Sequence, residues 1–544
     1  MAVIVRCMVQ WSPFQWHAGK GHFDEPDWAI QREPPDTNRA VRMARVTHPM
    51  NGLLDAPQWT TSRLGIRDRV YGACLAAIRD GRLPAGCRLP SARQLAVDWH
   101  IARNTIDDAL SRLHDDGLIV RRVGAGTFVA SDVNVVPRIA ARHRKPPSVG
   151  KRALRMASAR AAEAARPFAA ASVPRPAPFA GGLAALDAFP LATWQRLAAR
   201  CARTRGTALL GYLPASGYPP LQQAIADHLG GARAIHCAPQ QVMIVNSAMQ
   251  AHDLIARVLA ERDDVGWIED PGYPNLRAVL AMAGIRVVPI PVDAEGVATD
   301  RAPVGGAKPT LICVTPSCQH PTGAVMSLAR RLALLELARR SQAWIVEDDH
   351  QAEFVWSVRP PAPLAALDHD GRTLYVGTFS HTIFPSLRIA YFIVPTALID
   401  VFHAVRRQLD DHTHGFMQAV LADFIAGGHF SAHIRKMRAL YGARRDALID
   451  ACARHAPNAT LGGHASGMHA TLAWHAAQLD TAIAARAARE GIRVLPLSRY
   501  TTGAARLNGL LLGYTALSER RIASAIARLA PVLGGIDSSR RVRR

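Results

Sequence analysis

The sequence has cysteines but no pattern that would join them. The eight, at positions 7, 74, 87, 201, 237, 313, 318 and 452, include no C-x-x-C and no His-Cys cluster at zinc spacing. That speaks against the common zinc modules and against a redox pair, and leaves reduced thiols in a cytoplasmic protein as the expected state. Acidic charge is also short: 43 Asp and Glu stand against 65 Lys and Arg, a formal net charge of +22. Such an excess suits a polyanionic partner, but it counts only once it is placed on a recognisable element. Long apolar runs are missing too. No stretch approaches the about 18 uncharged apolar residues of a membrane span, and the apolar start of MAVIVRCMVQWSPFQW is too short and interrupted for a signal peptide. A soluble, intracellular protein with no membrane partner is expected.

At 544 residues, 49% of them hydrophobic, the chain has material for two to four domains at roughly 100–200 residues each. Residues 1–60 sustain no period of 2 or 3.6 and read as a poorly structured extension, with Met50 a candidate natural start. LGIRDRVYGACLAAIRDG (64–81) then sets Ile66, Val70, Leu75 and Ile78 near helical spacing and stops at Gly81, opening a domain over 61–132. Between 133 and 182 the composition shifts to Ala, Pro and Arg, with ten basic residues against Glu163 alone, the mark of a basic linker. From 183 to 534, apolar strand-like runs such as QVMIV, DVGWIED, TLICVTP and WIVEDD alternate with helical stretches, which predicts an α/β domain with a mostly parallel sheet. A basic tail, 535–544, closes the chain.

In the first domain, LPSARQLAVDW reads as a helix begun after Pro90, HIA as a tight turn, and Arg103 to about His114 as a second helix. Ile106, Leu110 and Leu113 share one face of that helix and leave Arg103, Asn104, Asp107, Ser111 and Arg112 facing outward. Two helices joined in this way can place side chains in a major groove, and RRVGAGTFVA, turning at Gly124 and Gly126, predicts a small hairpin beside them.

GRLPAGCRLPSARQLA, ARNTI and GAGTFVA together resemble the GntR-type winged helix-turn-helix. The resemblance implies duplex DNA as partner, with contacts from Arg93, Arg103, Asn104, Thr105 and the wing around Gly124. The sequence departs from the family at two places. Ala102 stands where a Ser or Thr usually caps the recognition helix, and Asp107 would repel phosphate unless it accepts from a cytosine amino group.

In the second domain, IEDPGYPNLRAVL, TPSCQHPTGAVMS, WIVEDDHQAEF and GTFSHTIFPSLRIAY each end a strand in polar residues, and the last offers Thr378, Ser380, Thr382 and Arg388 to an anion. In this order they resemble fold-type I aminotransferases; with the winged helix in front, the chain resembles the MocR subgroup of GntR regulators. That resemblance implies pyridoxal phosphate, with Asp348 at its pyridine nitrogen, Tyr273 near its ring and Ser380 and Arg388 on its phosphate. Tyr212 would come from the partner of a homodimer.

Other positions depart from the family pattern. His381 stands for the Schiff-base lysine, His350 for a tyrosine, Ala248 for a glycine and Cys318 for a histidine, and GLLLGY lacks an arginine that grips carboxylates in some members. An imidazole has no primary amine and cannot hold the cofactor aldehyde covalently. Three readings of His381 follow: a base in a lysine-less enzyme, a hydrogen-bonding group for a non-covalent ligand, or the remnant of a ligand-free scaffold.

Overall fold

The structure is a computed structural model that describes residues 65–131, 158, 161, 177–302, 308–356, 361–474, 478–502 and 507–534. The expected extension 1–60, nearly all of the expected linker and the basic tail lie outside the described residues. Contacts divide the chain into two units, Met1–Ser148 and Val149–Arg544.

The first unit is built on three helices, α1 (Ile66–Arg79), α2 (Ala92–Asp98) and α3 (Arg103–Asp115), with a small antiparallel sheet. Its strands β1 (Arg88–Leu89), β2 (Ile119–Arg122) and β3 (Gly126–Val129) lie in the order β1-β3-β2. Ser91 starts α2 by accepting from the Gln94 amide at 3.1 Å, while α3 begins at Ala102 with no side-chain cap. Ile106, Leu110 and Leu113 pack against α1 as their spacing predicts. The buried line of α1 differs from the expected one. Val70, Cys74 and Ile78 point inward, whereas Ile66 is exposed, so Cys74 belongs to the core stripe.

The second unit carries an eight-stranded sheet. Its strands are β4 (Val242–Val245), β5 (Val265–Asp270), β6 (Arg286–Asp293), β7 (Gly296–Val297), β8 (Leu311–Val314), β9 (Trp344–Asp348), β10 (Thr373–Thr378) and β11 (Ala390–Ile393). Their order is β4-β11-β10-β9-β8-β5-β6-β7. The central neighbours β10, β9, β8, β5 and β6 all pair in parallel, and β11 runs against both β10 and β4. The LICV run of central β8 is buried on both faces, as a strand covered by helices must be, and the VMIV run of edge strand β4 is buried as well.

Four further strands, β12 (Thr460–Gly462), β13 (His469–Ala473), β14 (Leu495–Pro496) and β15 (Gly509–Gly513), make a separate antiparallel sheet ordered β12-β13-β15-β14. Residues 178–182, expected to end the linker, belong to this body: Phe179 is fully buried, and its carbonyl accepts from the Gly513 amide at 3.1 Å. Among the described residues no helix is long and apolar enough to cross a membrane.

Candidate functional site

In the first unit the N-terminal end of α3 is open. Arg103 and Asn104 are exposed on its first turn, Thr105 is half-buried, and Arg93 is exposed on α2. Asp107 Oδ2 lies 3.5 Å from Arg103 Nε. Arg112 is not free to face a groove, because it pairs with Asp68 of α1 at 3.0 Å and stacks over Tyr71. The hairpin turns where expected, with Gly124 at φ +76° and Gly126 at φ +112°, conformations that favour glycine. A Cβ on Gly126 would also meet Arg88 Nε at 3.0 Å. Arg121 of β2 donates to Ser111 of α3 at 3.1 Å and Arg122 lies over the Phe128 ring, so the wing strands present arginines beside the helix.

In the second unit the carboxyl ends of the parallel strands surround a cavity of about 310 Å³, the position where sheets of this kind bind ligands. Asp348 enters from the end of β9, Thr315 follows β8, Tyr273 follows β5, Thr378 ends β10, and Ser380 and His381 follow it. Ser247 and Ala248 bring the N-terminus of the Ala248–Leu259 helix to the wall, where backbone amides favour an anion. Arg388 lines the same cavity in a left-handed conformation, φ +53°, with no carboxylate partner among the described residues. Of the sequence-derived set, Tyr273, Asp348, His350, Ser380, His381 and Arg388 thus meet in one place. Tyr212 does not. It is 91% exposed, away from the cavity of its own chain, with its ring edge-on to His412.

The three consecutive carboxylates of WIVEDD are all buried rather than solvated, and the strand's alternation gives them different partners. Glu347 accepts from the amides of Leu364 and Ala365 and lies 3.6 Å from Arg331. Asp349 pairs closely with Arg233 and accepts from Tyr375 at 2.9 Å. Asp348 alone faces the cavity, where Oδ2 lies 2.9 Å from His252 Nε2 and Oδ1 is buried without a partner. Burial pushes the Asp348 carboxyl upward, but the His252 hydrogen bond and the neighbouring imidazoles outweigh it, and the net shift is downward. Asp348 is therefore an anion at neutral pH.

Histidines dominate the rest of the wall. The ring centroids of His320 and His469 are 4.9 Å apart, those of His320 and His350 6.0 Å, and those of His350 and His381 6.0 Å. Enclosure pulls His381 down to about 4, with His350 adding to the effect and Asp348 and the Gly182 backbone opposing it. Burial likewise lowers His469 to about 4 and His320 well below its ordinary value. Despite these imidazoles, no group of three or more His, Cys, Asp or Glu among the described residues is arranged to hold a metal ion. No lysine lines the cavity: of the described lysines, Lys436 reaches the Ala188 carbonyl and Lys308 is exposed.

Sequence reasoning missed His252, Ser247, Thr315, His320, Gln351 and His469. His252, five residues beyond Ser247 on a helix that starts at the cavity, had the most readable signal. Cys318 is buried beside Gln351, and a Cβ on Gly467 would meet its sulfur at 2.6 Å, so this side of the site is closely packed.

Residues 66–129 match the family of bacterial regulatory proteins, gntR family, and residues 185–528 match aminotransferase class I and II. The probable rhizopine catabolism regulatory protein MocR of Rhizobium meliloti is 36% identical over 87% of this chain and 94% of its own. The chain belongs to the MocR-type GntR-family transcription regulators. TauR of Rhodobacter capsulatus, an HTH-type transcriptional regulator, is 31% identical over 86% of this chain and 96% of its own. Among solved structures, the kynurenine aminotransferase of Pyrococcus horikoshii, determined in complex with PMP, aligns with a TM-score of 0.62 at 27% identity, covering 71% of this chain and 96% of that one. The aminotransferase-like half of this MocR-type chain thus has the enzyme fold nearly complete, joined to a GntR helix-turn-helix.

Proposed function

We propose that this protein is a cytoplasmic, sequence-specific DNA-binding regulator whose aminotransferase-like unit binds a vitamin B6 phosphate, or a similar phosphorylated ligand, without a covalent bond. The observation that carries this reading is the composition of the cavity wall. Asp348 Oδ1 is buried without a hydrogen-bond partner, Ser380 and Arg388 stand beside a helix N-terminus, and among the described residues no lysine is within the lining.

The residues fit the cofactor in its non-covalent form. Asp348, held as an anion by His252, would accept from a ring N–H, and Ser247, Ser380 and Arg388 would hold the phosphate. Tyr273 and His350 would flank the ring. When bound, pyridoxal phosphate supplies an aldehyde and an electron-withdrawing pyridine. His381, at the place of the family's Schiff-base lysine, can hydrogen-bond to such a ligand but cannot capture its aldehyde.

Two further readings are weaker. A group drawn down to about 4 is a poor general base at neutral pH, which disfavours a lysine-less enzyme acting through His381. A ligand-free scaffold would have no use for the free Arg388 and the unpartnered Asp348 oxygen. The strongly exposed Leu210 and Tyr212 support a homodimer in which Tyr212 reaches toward the partner's cavity.

In the first unit, Arg93, Arg103, Asn104, Thr105 and the wing at Gly124 and Gly126 are assigned to duplex DNA. Arg103→Ala should cost about 1–3 kcal/mol on the preferred sequence if it reads a base edge, and an equal loss on random duplex would make it a phosphate contact instead. For the ligand, titration of the purified protein with pyridoxal phosphate, followed by absorbance and equilibrium dialysis, should show saturable binding that dialysis reverses. No binding would favour the scaffold, and turnover of amino acids by the same preparation would favour the enzyme.

A further inference from the structure

Arg103, Asp107 and Ser111 follow one another at intervals of four along α3 and so form a single stripe on its surface. The stripe begins with one arginine and ends on a contact with another. Asp107 Oδ2 stands 3.5 Å from Nε of Arg103, and Ser111 Oγ accepts from Nη2 of Arg121 on β2 at 3.1 Å. A carboxylate in the middle of a face that meets a polyanion is electrostatically adverse, and nothing in the packing of α3 requires it. The buried residues of this helix are Ile106, Ala109, Leu110 and Leu113.

The geometry of the pair shows what the carboxylate does for the arginine. Asp107 approaches the Nε side of the guanidinium, and among the described residues the terminal Nη groups make no hydrogen bond. A guanine edge, with O6 and N7 side by side, accepts two donors from such a fork. The Arg103 and Asp107 side chains are 67% and 43% exposed, so the guanidinium stays accessible beside the carboxylate. An arginine ordered before binding loses less conformational freedom on meeting a base. The same negative charge weakens attachment to any duplex, because it offsets one cation at the phosphate surface.

We propose that Asp107 is a positioning residue for Arg103: it orients the guanidinium for a two-acceptor base edge and gives up general DNA affinity for sequence selectivity. The assignment rests on α3 being the DNA-reading helix. It differs from direct recognition of a cytosine amino group by Asp107, in which Arg103 would have no part.

The test uses the full-length protein, a duplex it selects from a randomised library, and a random duplex of equal length, with binding followed by fluorescence anisotropy at several salt concentrations. In Asp107→Ala, affinity for the random duplex should rise about twofold or more, with a steeper salt dependence. Preference for the selected duplex should fall about tenfold, chiefly at one G·C pair. Adding Asp107→Ala to Arg103→Ala should change the preference by less than about twofold, because the two residues act as one unit. Unchanged preference in Asp107→Ala, with an unchanged melting temperature showing it folded, would overturn the proposal. Losses that multiply in the double variant would overturn it too, since they would mean that Asp107 reads a base independently. Failure of the unaltered protein to select any sequence would bring down the DNA-binding reading and this assignment together.

Discussion

His252 Nε2 and Asp348 Oδ2 lie 2.9 Å apart, and this hydrogen bond divides the carboxylate into two halves. One oxygen is held by His252, and the other is buried without a hydrogen-bond partner. The histidine sits on the helix that presents Ser247 and Ala248, so one element serves both ends of the site.

Removing the imidazole should therefore loosen a ligand it does not touch. His252→Leu is expected to weaken pyridoxal phosphate binding by roughly 1–3 kcal/mol, the usual effect of stripping a hydrogen bond from a buried charged group. Isothermal titration would measure it. Unchanged affinity would mean that the Asp348 carboxylate is not part of the ligand contact.

The cavity histidines predict a particular acid sensitivity. His381 and His469 are drawn down to about 4 in the folded chain, whereas an unfolded imidazole titrates near 6.5. The unfolded chain then binds more protons, so their contribution to stability is full above about 6.5 and is lost as the pH falls toward about 4. Melting temperature measured across this window should decline, and His381→Gln should flatten part of the decline. A pH profile identical to that of the unaltered protein would show that His381 is not held neutral.

Under the proposed reading, one substitution should confer covalent capture. His381→Lys places a primary amine in the cavity beside Ser380 and Arg388, and borohydride treatment after addition of pyridoxal phosphate should leave an adduct on the 378–391 peptide. The unaltered protein should leave none there. A folded lysine variant that also leaves none would show that the phosphate cup no longer holds the ligand.

The uncapped start of α3 predicts a stabilising change. Ala102 has extended backbone angles, φ −56° and ψ 134°, suited to an N-cap, so Ala102→Ser should add about 1 kcal/mol to the helix-turn-helix unit. Calorimetric melting of the full-length protein would show it as a rise in the transition of that unit. A fall would mean that the serine finds no amide of the first turn to accept from.

The helix-turn-helix was legible because its signals are local. The helix start after Pro90, the apolar line of Ile106, Leu110 and Leu113, and the glycine turn are each carried by residues close together in the sequence. Six of the seven expected ligand-site positions converge for a related reason, since each follows a recognisable strand and parallel strands deliver their ends to one edge. What stayed hidden needed chain folding to appear. His469 comes from the separate antiparallel sheet, His320 from a loop whose partners are remote in sequence, and residues 178–182 look like linker until Phe179 is seen in the core. Sequence also could not say that Arg112 is taken by Asp68, because a cation on an outward helix face reads the same whether free or paired.

The alternation of Glu347, Asp348 and Asp349 at the end of β9 and just beyond it has a consequence for how insertions and deletions would be tolerated there. A slip of one residue against β8 and β10 would turn two carboxylates into the cavity and point one away from it. Arg331 and Arg233 would then have to share a single countercharge in a buried setting, which is strongly unfavourable. The two arginines thus act as a lock on strand alignment, admitting only the register in which a single acid reaches the ligand. Length changes in the turn before Trp344 should be absorbed by that turn or prevent folding, and should not shift the acid that faces the cavity.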